Sequence, residues 1–441
     1  MKIQQIYIFV FVLQIIILSS ATFAILWALI MSADIIPFVV LFVLSVFFSG
    51  SIFISIKDKA LNIDKNSCLI AIFITWFLLI IMGFIPFYIM LPDKNIMDIF
   101  FLSITLTSTF GSWPGLPIIF DHEFLIWQSI LQWLGGLITI LVATFLIEFI
   151  LSKNKLNNDH FNIDNLKIIS FLYVFITIIF ALLLFYFESY SLDHSLRLSM
   201  ALISTSNSFE YGGSIIIKES YQFKLIMIFA MMCGAISIFA HYKSFNYGIL
   251  SYFRNKNFIS IILFSLFFVI FISVYLNKIT NTSIFYTFID TLFLVISFIT
   301  TTGLIPYDFF YSEVLNKLLV LIIIFSLIGG AINSTTGGLK ASRIIFISKF
   351  IYRELYKLGN PRIILSKENL GINDNALRIF VFCIIFLFSI LILSLLLSIL
   401  GINYKDSILI ILGAITNSGV GIMQISNIIF KLIIAPVEVY P

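Results

Sequence analysis

Long runs of apolar residues dominate this chain, and polar residues are confined to short stretches between them. Most of the runs reach about 20 residues, the length that an α-helix needs to cross the hydrocarbon core of a bilayer. The pattern predicts membrane-spanning helices in a run that ends at Met31 and near residues 35–56, 67–91, 125–150, 168–187, 222–250, 257–276, 314–350, 376–400 and 424–438.

Shorter apolar stretches lie between several of these spans, at about 98–110, 193–209, 287–302 and 406–418. They are too short to cross a bilayer and too apolar for surface loops. We therefore expect re-entrant segments, because backbone at membrane depth is tolerated where it is buried in protein or lines a watery cavity.

Composition supports a membrane protein and excludes several other classes. The 441 residues are 61% apolar and 11% charged, whereas soluble domains are about 45–50% apolar and about 25% charged. A disordered chain, a secreted soluble protein and a cytosolic enzyme are excluded. The net charge of +4 is too small to indicate nucleic acid as a partner.

The N-terminal run and the basic residues set the expected topology. The run is nearly thirty residues long, whereas the apolar core of a signal peptide has about 7–15. We therefore expect a retained helix rather than a cleaved signal. With Lys2 on the cytoplasmic side and one crossing per long run, most of the 26 Lys and Arg residues fall inside, as the positive-inside rule requires.

Three of the short stretches repeat one pattern: an aspartate, an apolar stretch, a Ser/Thr/Asn cluster, and a glycine thirteen positions after the aspartate. The copies are 98–111, 290–303 and 406–419. A fourth copy begins at Asp193, and we take Gly212 as its glycine, reached through an insertion. Matching spacing between long spans indicates an internal repeat.

Each copy suits an oxygen-lined cation path. Aspartate at a helix start can cap free amides and suits the positive end of the helix dipole, so we expect Asp98, Asp290 and Asp406 to be pore-helix caps. Glycine allows carbonyl oxygens to turn inward, and a ring of carbonyls can replace a cation's hydration shell. The simpler alternative is a cap and a turn without further role. The candidate ion-binding residues are Ser108, Thr109, Phe110, Gly111, Ser208, Tyr211, Gly212, Thr301, Thr302, Gly303, Asn417, Ser418 and Gly419.

The run 314–350 is interrupted by a glycine-rich polar stretch. We expect this stretch to unwind near mid-membrane and to form a flexible gate below the filter, with Lys340 and Arg343 extending to the cytoplasmic interface. A close-packing glycine patch between helices is the alternative. The candidate gate residues are Gly329, Gly330, Asn333, Ser334, Thr335, Thr336, Gly337 and Gly338.

Four motifs resemble the Trk/Ktr/HKT superfamily of potassium transporters, and Trk-type potassium uptake proteins most closely. The stretch 328–340 resembles the Gly-Gly…Ser-Thr-x-Gly-Gly-Leu/Ile-Lys signature of that family. The stretches 131–136, 234–241 and 415–419 are similar to the second helices of its first two repeats and to its fourth filter. In the second of these stretches Ser237 stands where Asn is usual.

The resemblance implies an all-α integral membrane fold, with four helix–pore loop–helix repeats in a pseudo-fourfold arrangement around one pore. Two N-terminal helices (1–62) precede repeats 1 (63–152), 2 (153–252), 3 (253–358) and 4 (359–441). It further implies potassium as substrate, no covalently bound cofactor, no enzyme activity, a bacterial inner membrane, homodimeric assembly and a cytosolic nucleotide-binding RCK-type regulatory subunit.

Two departures from the family pattern leave alternatives open. The second filter is irregular and carries Glu210, which is either a solvated vestibule residue or an attractor of cations. The last apolar segment is short, contains Pro436 and lacks the arginine that family members carry there, so we expect a truncated last helix. An ion-coupled potassium or sodium symporter and a non-conducting truncated subunit therefore remain alternatives to potassium uptake.

Overall fold

The computed structural model describes residues 4–56, 65–111, 121–151, 163–188, 190–207, 220–280, 283–306, 314–359 and 370–419. These residues form helices and the turns that join them. Within these ranges, seven helices are long and apolar enough to cross a membrane, or eight if a bent pair counts as one span. The expected all-α, multi-pass membrane architecture is confirmed.

The described helices in chain order are α1 (Gln4–Met31), α2 (Ile36–Ile56), α3 (Lys65–Met90), α4 (Ile96–Thr107), α5 (His122–Leu151), α6 (Ile163–Glu188), α7 (Leu192–Ile203), α8 (Tyr221–Ala235), α9 (Ile238–Tyr247), α10 (Lys256–Thr280), α11 (Ile284–Ile299), α12 (Val314–Ile328), α13 (Ala341–Gly359), α14 (Leu370–Ile399) and α15 (Tyr404–Thr416). A short 3₁₀ helix, Ile249–Arg254, joins α9 to α10.

Four short helices, α4, α7, α11 and α15, lie in the short apolar stretches of the sequence. They contain 12, 12, 16 and 13 residues. At 1.5 Å per residue they measure about 18–24 Å, which is less than the roughly 30 Å of a hydrocarbon core. Each of these helices is thus too short to span a membrane.

Two of the expected long spans are broken. The segment 222–250 was expected to be one span, but the chain bends by 104° between α8 and α9. The segment 314–350 is interrupted, as its glycines indicate, and residues 329–340 between α12 and α13 contain no helix. We call residues 329–340 the gate loop.

The chain divides into two compact units, Met1–Ser204 with Ser208–Gly212 and Thr205–Asn207 with Gly213–Pro441. In the first unit, Trp127 of α5 is buried among Phe38, Phe87 and other apolar side chains of α1 to α4. The Trp127 indole donates a hydrogen bond to the Gly83 carbonyl at 2.9 Å. Close van der Waals packing and hydrogen bonds between helices are the forces that hold apolar helices together in lipid.

The second unit has its own apolar core, formed by α10, α11, α12 and α15. Phe325 of α12 contacts Phe264 and Phe268 of α10, with ring centroids 6.3 and 5.1 Å apart. Leu409 of α15 and Phe298 of α11 are buried in the same cluster. This core holds two of the short helices beside the helix that leads into the gate loop.

Candidate cation site: filter turns and gate loop

The three short helices with an aspartate expected as cap begin two to six residues before that aspartate. Asn95 precedes α4, and its side chain accepts a hydrogen bond from the Met97 amide. Asp98 and Asp406 are each the third residue of their helix, where a carboxylate still suits the positive dipole end. The expected capping by the aspartates is therefore wrong, because Asn or Ser residues occupy the cap positions.

Asp290 has a different role, since it is the seventh residue of α11 and is buried. Lys224, in the first turns of α8, forms an ion pair with it inside the second unit. In the first unit, Asp193 of α7 pairs with Arg197 at 2.7 Å and accepts a hydrogen bond from the Trp27 indole at 2.8 Å. Each of these buried carboxylates thus has a cationic partner.

The turn after α4 closes with a Schellman motif. Thr109 adopts the left-handed conformation, with φ of 61°, and its amide bonds to the Leu106 carbonyl at 3.0 Å. The Phe110 amide bonds to the Thr105 carbonyl at 2.9 Å. These two bonds are the pair that defines the motif. Thr109, Phe110 and Gly111 are buried, whereas Ser108 is exposed.

The turns after α11 and α15 repeat this geometry. Thr301 and Asn417 are left-handed, each with φ of 59°. The amides of the residues that follow them, Thr302 and Ser418, bond to the carbonyls of Ser297 and Gly413 at 2.9 and 3.1 Å. We name the four-residue segments 108–111, 300–303 and 416–419 filter turns 1, 3 and 4.

Glycine follows the left-handed residue by two positions in all three filter turns. Gly111, Gly303 and Gly419 have φ of 67°, 72° and 60°. A left-handed residue with a side chain costs about 1–2 kcal/mol, and glycine avoids this cost. Two left-handed residues so close together prevent the helix from continuing, and they leave carbonyl oxygens that make no helical hydrogen bond.

Residues 204–207 follow α7 as residues 108–111 follow α4, and we name them filter turn 2. Thr205 is left-handed with φ of 51°, in the place of Thr109. Counted from this residue, Asn207 stands where the other turns have glycine, so the register differs from the expected use of Gly212. The expected site residues Ser208, Tyr211 and Gly212, together with Glu210, lie outside the described residues.

The gate loop is a compact turn rather than an extended linker. Gly329, Asn333, Gly338 and Lys340 all have positive φ. Inside the loop, the Gly330 amide donates to the Thr336 hydroxyl at 3.0 Å. The four consecutive polar residues at its centre are all buried, namely Asn333, Ser334, Thr335 and Thr336.

The break between α8 and α9 binds the gate loop through its backbone. The Ala331 amide donates to the Ala235 carbonyl at 2.9 Å, and the Thr335 hydroxyl donates to the Gly234 carbonyl at 3.0 Å. In return, the Ile238 amide donates to the Asn333 carbonyl at 3.1 Å. The amides and carbonyls that the two broken helices release therefore satisfy one another, as backbone at membrane depth requires.

Three filter turns also contact the gate loop. The Gly337 amide donates to the Thr301 hydroxyl at 2.9 Å, and the Thr205 hydroxyl donates to the Thr335 hydroxyl at 3.1 Å. A methyl group at Gly337 would come within 2.0 Å of the Thr416 carbonyl oxygen, so only glycine fits there. The loop is thus in direct contact with filter turns 2, 3 and 4.

The two basic residues at the end of the loop turn back towards it. The Lys340 ammonium donates to the Thr336 carbonyl and to its hydroxyl. The Arg343 guanidinium donates to the Leu339 carbonyl at 3.1 Å and stacks 3.9 Å from the centre of the Phe382 ring. Both side chains thus bind carbonyls within four residues of themselves, and their location at the cytoplasmic interface stays a prediction.

Sequence reasoning missed the acceptor carbonyls of Gly234 and Ala235 and the place of Asn207. The glycine at 234 inside an apolar run was the available indication of a break. Asn207 lies as far from the first residue of α7 as Gly111 lies from the first residue of α4, so the start of the helix, and not Asp193, identifies the equivalent position.

The donor chemistry of this region is neutral. In the described ranges, no group of three or more His, Cys, Asp or Glu residues could hold a metal ion. A cation near the filter turns would meet backbone carbonyl and hydroxyl oxygens, which suit a hard, weakly charged ion. Fold and site together define a multi-pass membrane protein with four short apolar helices and a broken helix whose loop contacts the turns after three of them.

Comparison with known proteins identifies relatives of this class. No family model matches the chain. It is 27% identical over 384 residues to an uncharacterized cation transporter of Methanocaldococcus jannaschii, covering 82% of this chain and 77% of that protein. It is 24% identical over 348 residues to the Trk system potassium uptake protein TrkH of Vibrio parahaemolyticus, covering 74% of this chain and 71% of the relative. The match to Escherichia coli TrkH is 25% over 335 residues, covering 70% and 67%.

A solved structure shares the fold. The crystal structure of the potassium transporter TrkH from Vibrio parahaemolyticus superposes with a TM-score of 0.83, at 19% identity, over 98% of this chain and 97% of that one. The resemblance that the sequence motifs carry is confirmed: this chain is similar in sequence to Trk system potassium uptake proteins and shares the fold of TrkH.

Proposed function

We propose that this chain mediates potassium uptake across the cell membrane. The observation that carries the proposal is the repeated filter turn: three short helices end in the same Schellman turn followed by a left-handed glycine. A single such turn is an ordinary helix end. Three copies on helices too short to span, in a chain whose relatives include potassium uptake proteins, support a conduction path.

The selectivity filter would consist of four carbonyl sets around one pore. Each set would come from a filter turn at the C-terminal end of a short helix, which carries the negative end of the helix dipole. Carbonyl oxygens in such a ring replace the hydration shell of the ion. The pore would thus stabilise a monovalent cation without any charged side chain in contact with it.

The gate loop would close this path on the cytoplasmic side. Its contacts with filter turns 2, 3 and 4 support a location directly beside the filter. Opening would require the loop to release hydrogen bonds to Gly234, Ala235 and Thr301. A loop that is held in this way can be displaced as one body.

The assembly around the pore is part of the proposal. The chain would form a homodimer in a bacterial inner membrane and bind a cytosolic, nucleotide-binding RCK-type subunit, as the family resemblance implies. Potassium would be the substrate, with no covalently bound cofactor. Cross-linking in native membranes, with and without that subunit, would measure both assemblies.

Growth at low potassium tests the proposed function. Expression in cells that lack their own potassium uptake should restore growth at micromolar potassium. Purified protein in vesicles should carry potassium isotope faster than sodium, and Gly303→Ser should lower that preference, because the side chain strains a φ of 72°. No growth and no flux from verified membrane-inserted protein would refute uptake, and flux that requires a second ion gradient would identify a symporter.

A further inference from the structure

The gate loop contacts filter turns 2 and 3 at the left-handed residue itself. In turn 3, the Gly337 amide donates to the hydroxyl of Thr301. In turn 2, the hydroxyl of Thr205 donates to Thr335. Both contacts are fully buried within the second unit, because Thr205, Thr301 and Thr335 expose at most 3% of their surface.

The contact with filter turn 4 falls one residue earlier. A methyl group on Gly337 would lie 2.0 Å from the Thr416 carbonyl oxygen and 2.8 Å from the Asn417 side chain. Asn417 is the left-handed residue of that turn. Three consecutive residues of the loop, Thr335 to Gly337, therefore contact three different turns at or next to the left-handed residue.

Strained residues need such contacts. A residue with a side chain in the left-handed region persists only when its surroundings over-determine the conformation. The Schellman bonds fix the helix side of each turn, and the hydroxyl of the left-handed threonine is the group that the loop holds. Removal of the loop would leave the turn free to relax towards ordinary backbone.

We infer that the gate loop is also a structural support of the selectivity filter, and that Thr335 and Gly337 are positioning residues that act through Thr205 and Thr301. The inference rests on the proposed function. Loop position and ion occupancy are then coupled in both directions: a displaced loop loosens the filter, and an ion in the filter holds the loop in place. A loop that only obstructs the path would need none of these hydroxyl contacts.

Flux ratios separate the two roles of the loop. Thr335→Val removes the acceptor of the Thr205 hydroxyl and also the donor to the Gly234 carbonyl, Thr335→Ser keeps both, and Thr205→Val removes the bond to Thr335 while leaving the bond to Gly234 in place. In vesicles, we expect Thr335→Val to lower the ratio of potassium to sodium flux about fivefold, the factor that corresponds to one net hydrogen bond. Thr335→Ser should stay within about twofold of the parent. The pair Thr205→Val and Thr335→Val should be non-additive, because both remove the same bond.

Two control variants sharpen the result. The Ser334 hydroxyl bonds only inside the loop, to Ala331 and Thr336, so Ser334→Ala should change total flux without changing the ratio. The Ser326 hydroxyl bonds within α12, to the Ile322 carbonyl, and Ser326→Ala should change neither. A Thr335→Val protein that conducts with the parental ratio would overturn the inference while leaving potassium uptake intact.

Hydrogen exchange on the unmodified protein provides an independent measurement. Amides of residues 329–340 should exchange more slowly in potassium than in choline if an ion in the filter holds the loop. Equal exchange rates in a wild-type protein that carries potassium would overturn the inference. This result needs no variant to fold, and absence of potassium flux in the same preparation would instead refute the proposed function.

Discussion

Lys224→Met should destabilise the second unit more than any surface substitution. Lys224 belongs to α8 and Asp290 to α11, so their ion pair joins two helices that are 66 positions apart in sequence. The two side chains expose only 7% and 9% of their surface. Removing the ammonium therefore leaves a carboxylate inside the protein without its cationic partner.

The magnitude follows from the burial. Loss of one partner of a buried ion pair costs about 3–5 kcal/mol, because the remaining charge stays desolvated. Replacement of both charges avoids that cost, so Lys224→Met with Asp290→Asn should be within about 1 kcal/mol of the parent. Lys278 is exposed in the last turn of α10, and Lys278→Met should change stability by less than about 0.5 kcal/mol.

Thermal unfolding in detergent, followed by far-ultraviolet circular dichroism, ranks these five proteins. The expected order of midpoints is parent, Lys278→Met and the double variant close together, with Lys224→Met and Asp290→Asn well below them. A parental midpoint for Lys224→Met would refute the argument from burial. A double variant less stable than either single variant would show that the two charges do not depend on each other.

Two further predictions concern close contacts. Gly337→Ala should reduce potassium uptake at least about tenfold, because its methyl group would overlap the Thr416 carbonyl oxygen at 2.0 Å, whereas Gly359→Ala meets nothing within 4 Å and should leave uptake unchanged. Equal uptake by both variants would contradict the contact. Trp27→Phe removes the hydrogen bond to Asp193. The free energy of unfolding should fall by about 1.5–3 kcal/mol, the value of a hydrogen bond to a charged group. An unchanged unfolding midpoint would contradict this prediction.

The pattern of apolar residues predicted most of the helices, because the length of an apolar run is enough to distinguish a membrane-spanning helix from a short one. The break between α8 and α9 was not predicted, since a single glycine, Gly234, marks it in the sequence and hydrogen bonds from the distant gate loop stabilise it. The glycine-rich sequence of the gate loop, in contrast, indicated its own break. Breaks encoded by local backbone freedom are visible in sequence, and breaks encoded by tertiary hydrogen bonds are not.

In the candidate site, too, the features set by local sequence were predicted and those set by distant contacts were not. The glycines of filter turns 1, 3 and 4 follow from spacing, because helix length and turn are both local. Asp193 is the second residue of its helix, whereas Asp98 is the third, so the thirteenth position after Asp193 is Ser206, one residue before Asn207, and the expected Gly212 lies five residues beyond Asn207. The ion pair of Lys224 with Asp290 and the return of Lys340 to its loop depend on neighbours that no local pattern specifies.

The length of each short helix determines where the turn after it lies. In α4, α7 and α15, the left-handed residue stands thirteen positions after the first helical residue. One inserted residue would advance the turn by about 1.5 Å and rotate it by about 100° about the helix axis. Such a change would move an entire set of oxygens away from its place in the proposed filter, so these helices should tolerate substitutions along their length far better than a single insertion or deletion.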